Sequence, residues 1–448
     1  MASADLDLDR ILRVLGHDAS VPYAPPNIYP MSAPKFVSSP CLERSRPSGE
    51  MLSVYAHVPF CNYACTFCFY AKRVGDDARR MDRYVKALRR ELKAIEPGTR
   101  LAQLYVGGGT PTALPPALLD EALGAVLERT RSEADAVHTV ESSPESITPE
   151  HVEALRRHAI RRVSLGIQSL SEGVLDAIHR RHTGDQALAA CDLLVGGGFL
   201  VSVDLIYGLP GQDEAGFRRD FESVARRGVH AVTAYNLRVN ERTPVVKVLR
   251  EEERLDLARR VRWRGFVNAT ARELGFLPVR WHSFARASLT SAREREQAAF
   301  DDASARTEQF GAGLSARSRF GSVVYRNHVD FDEYLARVES GRSPVEESFS
   351  LDEGDRRIRF IGQSLGDGKP LARAAYARSF GRAFDEEFGA ALGRLRDAGL
   401  IEDVGEEIHL SENGRLVYDL VVLAFYPDST RGWMAERQQA AFARAVRH

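Results

Sequence analysis

The chain has 448 residues, of which 44% are hydrophobic and 27% charged. This length and composition exclude a disordered tail or a disulfide-stapled miniprotein and predict two or three domains with substantial cores. With 61 Lys and Arg against 62 Asp and Glu, the net charge of -1 gives no bulk field that would attract nucleic acid or an anionic membrane, so we expect neither as a partner.

Residues 1–50 are predicted to form an extended N-terminal arm. The segment 20–50 is rich in Pro and Ser and shows no apolar periodicity. The first residues, MASADLDLDRILRVLG, lack the basic flank and apolar core of a secretory signal. We therefore expect a cytoplasmic protein.

Residues 51–280 alternate between strand-like and helical patterns. Apolar runs of strand length occur at 52–58, 103–107, 136–141, 162–167, 200–208 and 230–237. Helical spacing of apolar residues occurs near 81–95, 116–129, 149–158, 171–195, 213–227 and 251–274. Six consecutive βα units require a parallel sheet with right-handed crossovers. The predicted fold class is α/β, as an incomplete parallel (β/α)6 barrel, with an open wound sheet as the alternative.

The alternation fades beyond residue 280. We assign 281–347 to a segment that connects the domains or completes the barrel, and 348–448 to a C-terminal α+β, winged-helix-like lid domain. The second region has one predicted helical face, then a predicted hairpin in AGLIEDVGEEIHL and a last helix near 412–425; the face comprises Phe380, Phe384, Phe388, Leu392 and Leu395. Because the stretch 380–426 has at least as many acids as bases, a lid or packing role is favoured over DNA binding.

The strongest chemical signal is a group of three cysteines. Cys61, Cys65 and Cys68 lie in the loop directly after the first predicted strand. Three thiolates at this spacing can hold three irons of a cuboidal iron–sulfur cluster and leave the fourth iron open. A zinc site is the alternative, but structural zinc takes four protein ligands, and neither Cys41 nor Cys191 is placed as an obvious fourth. We interpret these two as inert, and Cys191 as a small core residue.

Polar residues mark the ends of the other predicted strands. A glycine run, followed by Thr110, ends the second strand, where the lack of a Cβ lets the backbone approach a ligand closely. One polar residue then marks each of the next four strands: Glu141, Gln168, Asp204 and Tyr235. Because the carboxyl ends of parallel strands converge on one face of a barrel, we expect a ligand site there.

These motifs resemble the radical S-adenosylmethionine (SAM) superfamily. The matching segments are YAHVPFCNYACTFC, YVGGGTPT, ESSPES, SLGIQSL, HRRHT and DLIYGLPGQ. More narrowly, FGAGLSARS and GLIEDVGEEIHLSENGRL are similar to the oxygen-independent coproporphyrinogen dehydrogenase-like (HemN-like) branch. The resemblance extends over about residues 50–425.

The resemblance implies a 4Fe-4S cluster on the three cysteines, with SAM chelated to its open iron. Phe67 would flank the adenine, Glu141 would bind the amino group and Arg180 the carboxylate, with Arg181 as the alternative to Arg180. The remaining implied contacts are Gly107, Gly108, Gly109 and Thr110 along the methionine portion, and Gln168 and Asp204 on the ribose hydroxyls. Each pairing is chemically reasonable, since carboxylates accept from ammonium and hydroxyl groups and Arg pairs with carboxylates.

Within this branch, the predicted function is that of a class C radical SAM methyltransferase. Such an enzyme uses two SAM molecules to transfer a methyl or methylene carbon to an sp2 carbon of an aromatic or heteroaromatic natural product or peptide. The choice depends on two departures. Coproporphyrinogen enzymes carry another cysteine two residues after the third, where this chain has Tyr70, and related heme chaperones carry a His-Asn…Tyr-Trp segment, where this chain has Trp281 and His282.

The alternatives are an anaerobic heme- or porphyrin-modifying radical SAM enzyme and a non-enzymatic heme carrier. The expected partners are a small-molecule or peptide-bound aromatic substrate and an external one-electron reductant. Tyr55 points toward the site end of the first predicted strand and is the candidate catalytic residue, although a core tyrosine is an equal interpretation.

Overall fold

A computed structural model describes residues 6–15, 37–38, 43–45, 47, 51–239, 243–249, 256–299, 303–432, 434 and 436. Within them, a parallel sheet forms the centre of the fold. Its strands are β1 Met51–Val58, β2 Thr99–Gly108, β3 Thr139–Ser142, β4 Arg162–Gln168, β5 Leu200–Tyr207, β6 Ala231–Asn236 and β7 Glu308–Ala312. Hydrogen bonding joins them, all parallel, in the order β7-β1-β2-β3-β4-β5-β6. All six predicted strands are confirmed, and β7 is an addition that the pattern did not predict.

Antiparallel strands extend the sheet at both ends. Beyond β6 lie Ser283–Arg286 and Phe276–Pro278, and beyond β7 lie Arg317–Phe320, Val323–Asn327, Val345–Ser350 and Val37–Ser38. A short strand, Thr130–Ser132, pairs with β2. The described sheet therefore curves as a partial barrel whose two end strands continue into antiparallel ribbons, as the predicted incomplete barrel requires.

Helices follow the strands as predicted, with one correction. They are Ala78–Leu92, Pro116–Leu127, Pro149–Arg157, Glu172–Ala177, Gly184–Gly196, Glu214–Arg226, Leu257–Glu273, Ala292–Ala299 and Phe331–Glu339. The single helix predicted over 171–195 is two, because His179 takes a left-handed backbone conformation and Thr183 begins the second helix in a reciprocal capping box with Gln186. The connection between them carries Arg180. Among these and the other described helices, none combines the length and apolar character needed to cross a membrane.

The C-terminal region has its own core. Its elements are Glu353–Gln363, Leu371–Ala372, Arg373–Phe380, Phe384–Asp397, the hairpin Ile401–Val404 with Glu407–Leu410, Glu412–Leu416 and Tyr418–Leu423. The predicted helix-then-hairpin order is confirmed. Phe380 ends a separate helix, however, since Gly381 adopts a positive φ of 68° there. The last helix is likewise divided in two.

Part of the predicted arm belongs to this second core. Residues Leu8–Leu15 form a helix, and Ile11, Leu12 and Leu15 are buried against the C-terminal region. The extended interpretation missed this helix because its apolar residues fall within a short, highly charged segment. Most of 16–50 lies outside the described residues.

Candidate functional site

The cysteine loop leaves the carboxyl end of β1 and is held at both of its ends. The two-residue strand Phe60–Cys61 pairs in parallel with Arg73–Val74 and closes the loop. Inside it, the Thr66 N–H donates to the Ile178 carbonyl at 3.1 Å. Cys61, Cys65 and Cys68 are partly exposed free thiols within this closed loop.

Hydrogen-bond donors approach two of the three sulfurs. The Thr110 hydroxyl lies 3.8 Å from the Cys61 Sγ, and Nη1 of Arg180 lies 3.7 Å from the Cys65 Sγ. Burial, against a lowering by the Thr110 hydroxyl and together with the neighbouring Cys68 and Cys65, raises the pKa of Cys61 to about 11, so three thiolates this close need compensating positive charge.

This donor set fits an iron–sulfur cluster. Cluster sulfurs are tuned by such hydrogen bonds, and the irons supply the missing charge. No three His, Cys, Asp or Glu side chains in the described ranges converge on a position for a single metal ion. Cys191 is buried in the helix Gly184–Gly196, where burial raises its pKa to about 12. Cys41 lies outside the described residues.

The glycine run Gly107–Gly109 at the carboxyl end of β2 is required by close contacts. A Cβ on Gly107 would lie 2.6 Å from a Glu141 carboxylate oxygen, and one on Gly108 would lie 2.5 Å from the His57 ring. A Cβ on Gly109 would lie 2.6 Å from the Phe60 carbonyl. The run therefore packs directly between β1 and β3, and any side chain here would displace the backbone or the carboxylate.

Two carboxylates are carried by strands of the parallel sheet, Glu141 by β3 and Asp204 by β5. Glu141 accepts from the Tyr105 hydroxyl at 2.7 Å and from the Gly108 N–H at 3.1 Å, while burial raises its pKa. Asp204 accepts from the Ser164 hydroxyl at 3.1 Å. Burial raises the pKa of Asp204 to about 7, against a lowering by Arg162 and with a further increase from Glu141. Such carboxylates are suited to ligand ammonium and hydroxyl groups.

Arg180 extends from the connection between the two helices toward the cysteine loop. Its guanidinium contacts Cys65 and the Gly166 carbonyl, and it lies 5.5 Å from the centre of the Tyr63 ring. Its Nε is buried with no hydrogen-bond partner among the described atoms. Arg181 is exposed, so the structure brings Arg180 and not its neighbour to the site.

The other predicted contacts lie around this centre. Gln168 ends β4 with a positive φ of 74°, which turns the chain at the rim. Phe67 packs against a small apolar cluster that contains Ile206, Leu237 and Val245. All predicted positions thus lie at the carboxyl end of the sheet, while their individual ligand roles stay predictions.

Tyr55 is linked to a residue that the sequence analysis did not select. His57 Nε2 lies 3.0 Å from the Ala71 carbonyl, which can only accept, so Nδ1 is the acceptor for the Tyr55 hydroxyl at 3.1 Å. Burial lowers the pKa of His57 to about 4, which keeps the ring neutral. The Tyr55 hydroxyl therefore already donates a hydrogen bond to His57 within the protein. This contact favours a positioning or packing role for Tyr55.

Sequence reasoning also missed Glu145. Burial raises the pKa of this carboxyl, but His182 and Arg180 outweigh that effect and hold it at about 2. The Glu145 carboxylate lies 3.5 Å from His182, beside Arg180. The available signal was its place inside the ESSPES motif, from which only Glu141 was predicted as a site residue.

Known proteins share both the sequence and the fold. A family model described as "Radical SAM superfamily" matches residues 55–224. An oxygen-independent coproporphyrinogen III oxidase of Cereibacter sphaeroides is 30% identical over 411 residues, 85% of this chain and 88% of that protein. A heme chaperone HemW of Mycobacterium tuberculosis is 30% identical over 389 residues, 84% of this chain and 94% of that protein. The solved coproporphyrinogen III oxidase HemN of Escherichia coli has a TM-score of 0.79 at 23% identity, over 94% of this chain and 98% of that chain.

These comparisons correct the predicted reaction. They support a radical SAM enzyme with the cofactors of that superfamily, a 4Fe-4S cluster and SAM. The relatives at this similarity are named as coproporphyrinogen oxidases and heme chaperones, so the prediction of a class C methyltransferase acting on a natural product was wrong. The prediction had depended on residues that the chain lacks, and a missing cysteine does not specify a different reaction.

Proposed function

Because the chain belongs to the radical SAM superfamily, in the branch of oxygen-independent coproporphyrinogen III oxidases and heme chaperones, we propose that it is an anaerobic radical SAM enzyme that modifies a heme- or porphyrin-class tetrapyrrole. The proposal is supported by the relatives that match along most of their length and by the donor set at the strand ends. We favour an enzyme over a non-enzymatic heme carrier because side chains suited to binding SAM are present beside the cysteine loop.

The observation that carries the proposal is the arrangement of buried charge around that loop. Arg180, with an unpartnered Nε, lies against Cys65, while burial raises the pKa of Glu141 and of Asp204 even though Arg162 lowers both. We propose that Glu141 binds the SAM ammonium group, Arg180 the carboxylate, and Asp204 with Gln168 the ribose. The cluster, when bound to the three cysteines, supplies the electron for reductive cleavage of SAM.

Anaerobic turnover tests the proposal. Reconstituted protein would receive SAM, dithionite as the one-electron reductant, and in separate reactions coproporphyrinogen III, protoporphyrin IX or hemin. We expect 5'-deoxyadenosine formation to rise at least several-fold with one tetrapyrrole, whose mass then changes. The Cys65→Ala protein is the inactive control and Cys191→Ala the matched active one. Formation that no tetrapyrrole stimulates would contradict the enzymatic proposal.

A heme carrier is the second candidate. It is supported by the match to the heme chaperone and by Tyr70, which stands where coproporphyrinogen enzymes have a cysteine. A carrier would bind hemin with a saturable change in the Soret band and would leave hemin unaltered during SAM cleavage. Titration followed by mass analysis of the recovered tetrapyrrole distinguishes the two.

We further propose that two SAM molecules bind. This proposal is supported only by the resemblance to the HemN-like branch. Binding of labelled SAM to anaerobic holoprotein should saturate at two molecules per chain, and saturation at one would contradict it.

A further inference from the structure

The connection between two helices, residues 178–183, carries Arg180 and is tied to the cysteine loop at its start. There the Ile178 carbonyl accepts from the Thr66 N–H at 3.1 Å. The next residue, His179, has a positive φ of 57°, a conformation that a residue other than glycine keeps only where its surroundings impose it. The position of Arg180 therefore depends also on what holds the far end of the connection.

The far end is held by His182, whose side chain is fully buried. Its Nδ1 lies 3.5 Å from one carboxylate oxygen of Glu145, and neither ring nitrogen has another partner among the described residues. Because a carboxylate can only accept, we assign the ring N–H to Nδ1. Burying an imidazole is costly unless its N–H meets an acceptor, so the Glu145 carboxylate is the group that fixes His182.

Glu145 is fixed in turn by a chain of buried hydroxyl groups. Ser143 donates to its other carboxylate oxygen at 2.6 Å. Since that hydroxyl has one proton, its oxygen is an acceptor for Ser146, whose Oγ lies 3.0 Å away. The Ser146 Oγ lies 2.6 Å from the Oγ1 of Thr112, and all three hydroxyl residues are buried. The chain therefore runs from Thr112, through the ESSPES segment, to the far end of the connection.

The two ends of this chain adjoin the donors that approach the cysteine sulfurs. At one end, Thr112 lies two residues after Thr110. At the other end, His182 lies two residues after Arg180. Thr110 and Arg180 are the side chains whose donors lie 3.8 Å and 3.7 Å from sulfurs of the cysteine loop. A rigid polar chain thus connects the backbone segments that carry these two donors.

Resting on the proposed function, in which Arg180 binds the SAM carboxylate, we propose that Glu145 and His182 are positioning residues for this contact. The pair holds the far end of the connection, so that the Arg180 guanidinium keeps its direction toward the cysteine loop. Neither Glu145 nor His182 touches SAM, and the effect of both passes through Arg180. A guanidinium pairs with a carboxylate in one planar arrangement, so a small displacement of Arg180 weakens the contact.

Binding of SAM and of decarboxylated SAM to the anaerobically reconstituted protein tests this role without turnover. The two ligands differ only in the carboxylate. In isothermal titrations, His182→Ala should weaken SAM about ten-fold, as loss of one hydrogen bond to a charged group predicts, and decarboxylated SAM less than about three-fold. Arg180→Gln should give the same pattern. His182→Asn, whose amide nitrogen can take the place of Nδ1, should bind SAM within about three-fold of the wild type.

A double-mutant cycle tests whether the two positioning residues act as a pair. Glu145→Ala should weaken SAM about as much as His182→Ala, and the double variant should weaken it no further. The matched control is His138→Ala. His138 is equally buried, but it lies at the amino end of β3, where its Nδ1 accepts from the Leu104 N–H at 3.0 Å. This variant should bind both ligands as the wild type does.

Circular dichroism and iron content check that each variant is folded and loaded, and should His182→Ala fail either check, Glu145→Gln replaces it in the same comparison. Equal losses of SAM and decarboxylated SAM in the His182 and Glu145 variants, or no loss of either, would overturn the positioning role. Equal losses in Arg180→Gln would overturn it as well, since the pair acts through that residue. No tetrapyrrole is present, so a turnover that no tetrapyrrole stimulates would overturn the proposed reaction and leave this pair standing.

Discussion

Buried carboxylates in two regions of the molecule have different surroundings. In the C-terminal core, Asp419 pairs with Arg264 at 2.8 Å and lies 3.7 Å from Arg260. Burial raises the pKa of Asp419, but the two guanidinium groups outweigh it and hold the pKa below its ordinary value. At the strand ends, Glu141 and Asp204 accept from hydroxyl and N–H groups, and burial raises the pKa of both.

We interpret the difference as one between carboxylates that stabilise the fold and carboxylates that the proposed function assigns to ligand binding. Burying a charge is costly unless a partner compensates it, so a carboxylate paired with Arg is complete within the protein. A carboxylate with a raised pKa is not, and such groups concentrate at functional sites. The comparison therefore predicts which substitutions affect stability and which affect ligand binding.

The largest expected effect is on the cluster itself. Changing Cys61, Cys65 or Cys68 to Ala should abolish the broad iron–sulfur absorbance of anaerobically reconstituted protein, because each supplies one thiolate. Cys191→Ala is the matched control and should keep full iron and sulfide content, since its thiol lies in a helix core. Loss of iron in Cys191→Ala would show that the three-cysteine assignment is wrong.

Removing the Arg-paired carboxylate of Asp419 should lower the stability of the protein rather than its affinity for SAM. Asp419→Ala leaves Arg264 buried without its ion-pair partner, which costs about 3–5 kcal/mol of unfolding free energy. Urea unfolding followed by circular dichroism measures the loss. If Asp419→Ala were as stable as the wild type, the claim that the Asp419 ion pair stabilises the fold would be contradicted.

For Glu141, at the strand ends, we expect a loss of SAM binding without a loss of stability. Glu141→Gln should keep the cluster and the unfolding free energy, yet lose about 1.5–3 kcal/mol of SAM binding, or about ten-fold to a hundred-fold in affinity. Isothermal titration of the holoprotein with SAM measures this. Undiminished SAM affinity would remove Glu141 from the proposed site.

The ionisation of Asp204 should make both the folding stability and the SAM affinity depend on pH. Its folded pKa of about 7 lies above the unfolded value, so the folded state binds the extra proton and its stability falls as the pH rises from about 4 to 7. SAM affinity should change oppositely, because the ionised carboxylate is the stronger acceptor for ribose hydroxyls. Asp204→Asn should flatten both profiles, and an unchanged pair of profiles would exclude Asp204 as the titrating group.

The sequence predicted the strands of the sheet and the location of the candidate site better than the side-chain contacts or the reaction. Strand-length apolar runs predicted six parallel strands, since a buried parallel strand carries its own signal. β7 was missed because EQFGA is short and pairs with a strand far away in the chain. The positions of the candidate site followed from strand order, whereas the His57–Tyr55 contact and the approach of Glu145 to Arg180 depend on side-chain directions that spacing does not encode. The reaction was mispredicted because a missing cysteine is ambiguous chemically.

The smallest expected effect concerns Tyr55, the residue selected as catalytic. Tyr55→Phe keeps the ring, which stacks on Tyr105 at 6.1 Å, and removes only the hydroxyl that donates to His57 Nδ1. The His57 nitrogen then lies buried without its donor, which costs about 1–3 kcal/mol of unfolding free energy. Because the hydroxyl is already engaged, we expect 5'-deoxyadenosine formation per cluster to stay within about two-fold of the wild type, whereas removing a proton-transferring group costs about 100-fold or more. Single-turnover assays normalised to iron content measure this rate, and a loss of that larger size would return Tyr55 to the catalytic centre.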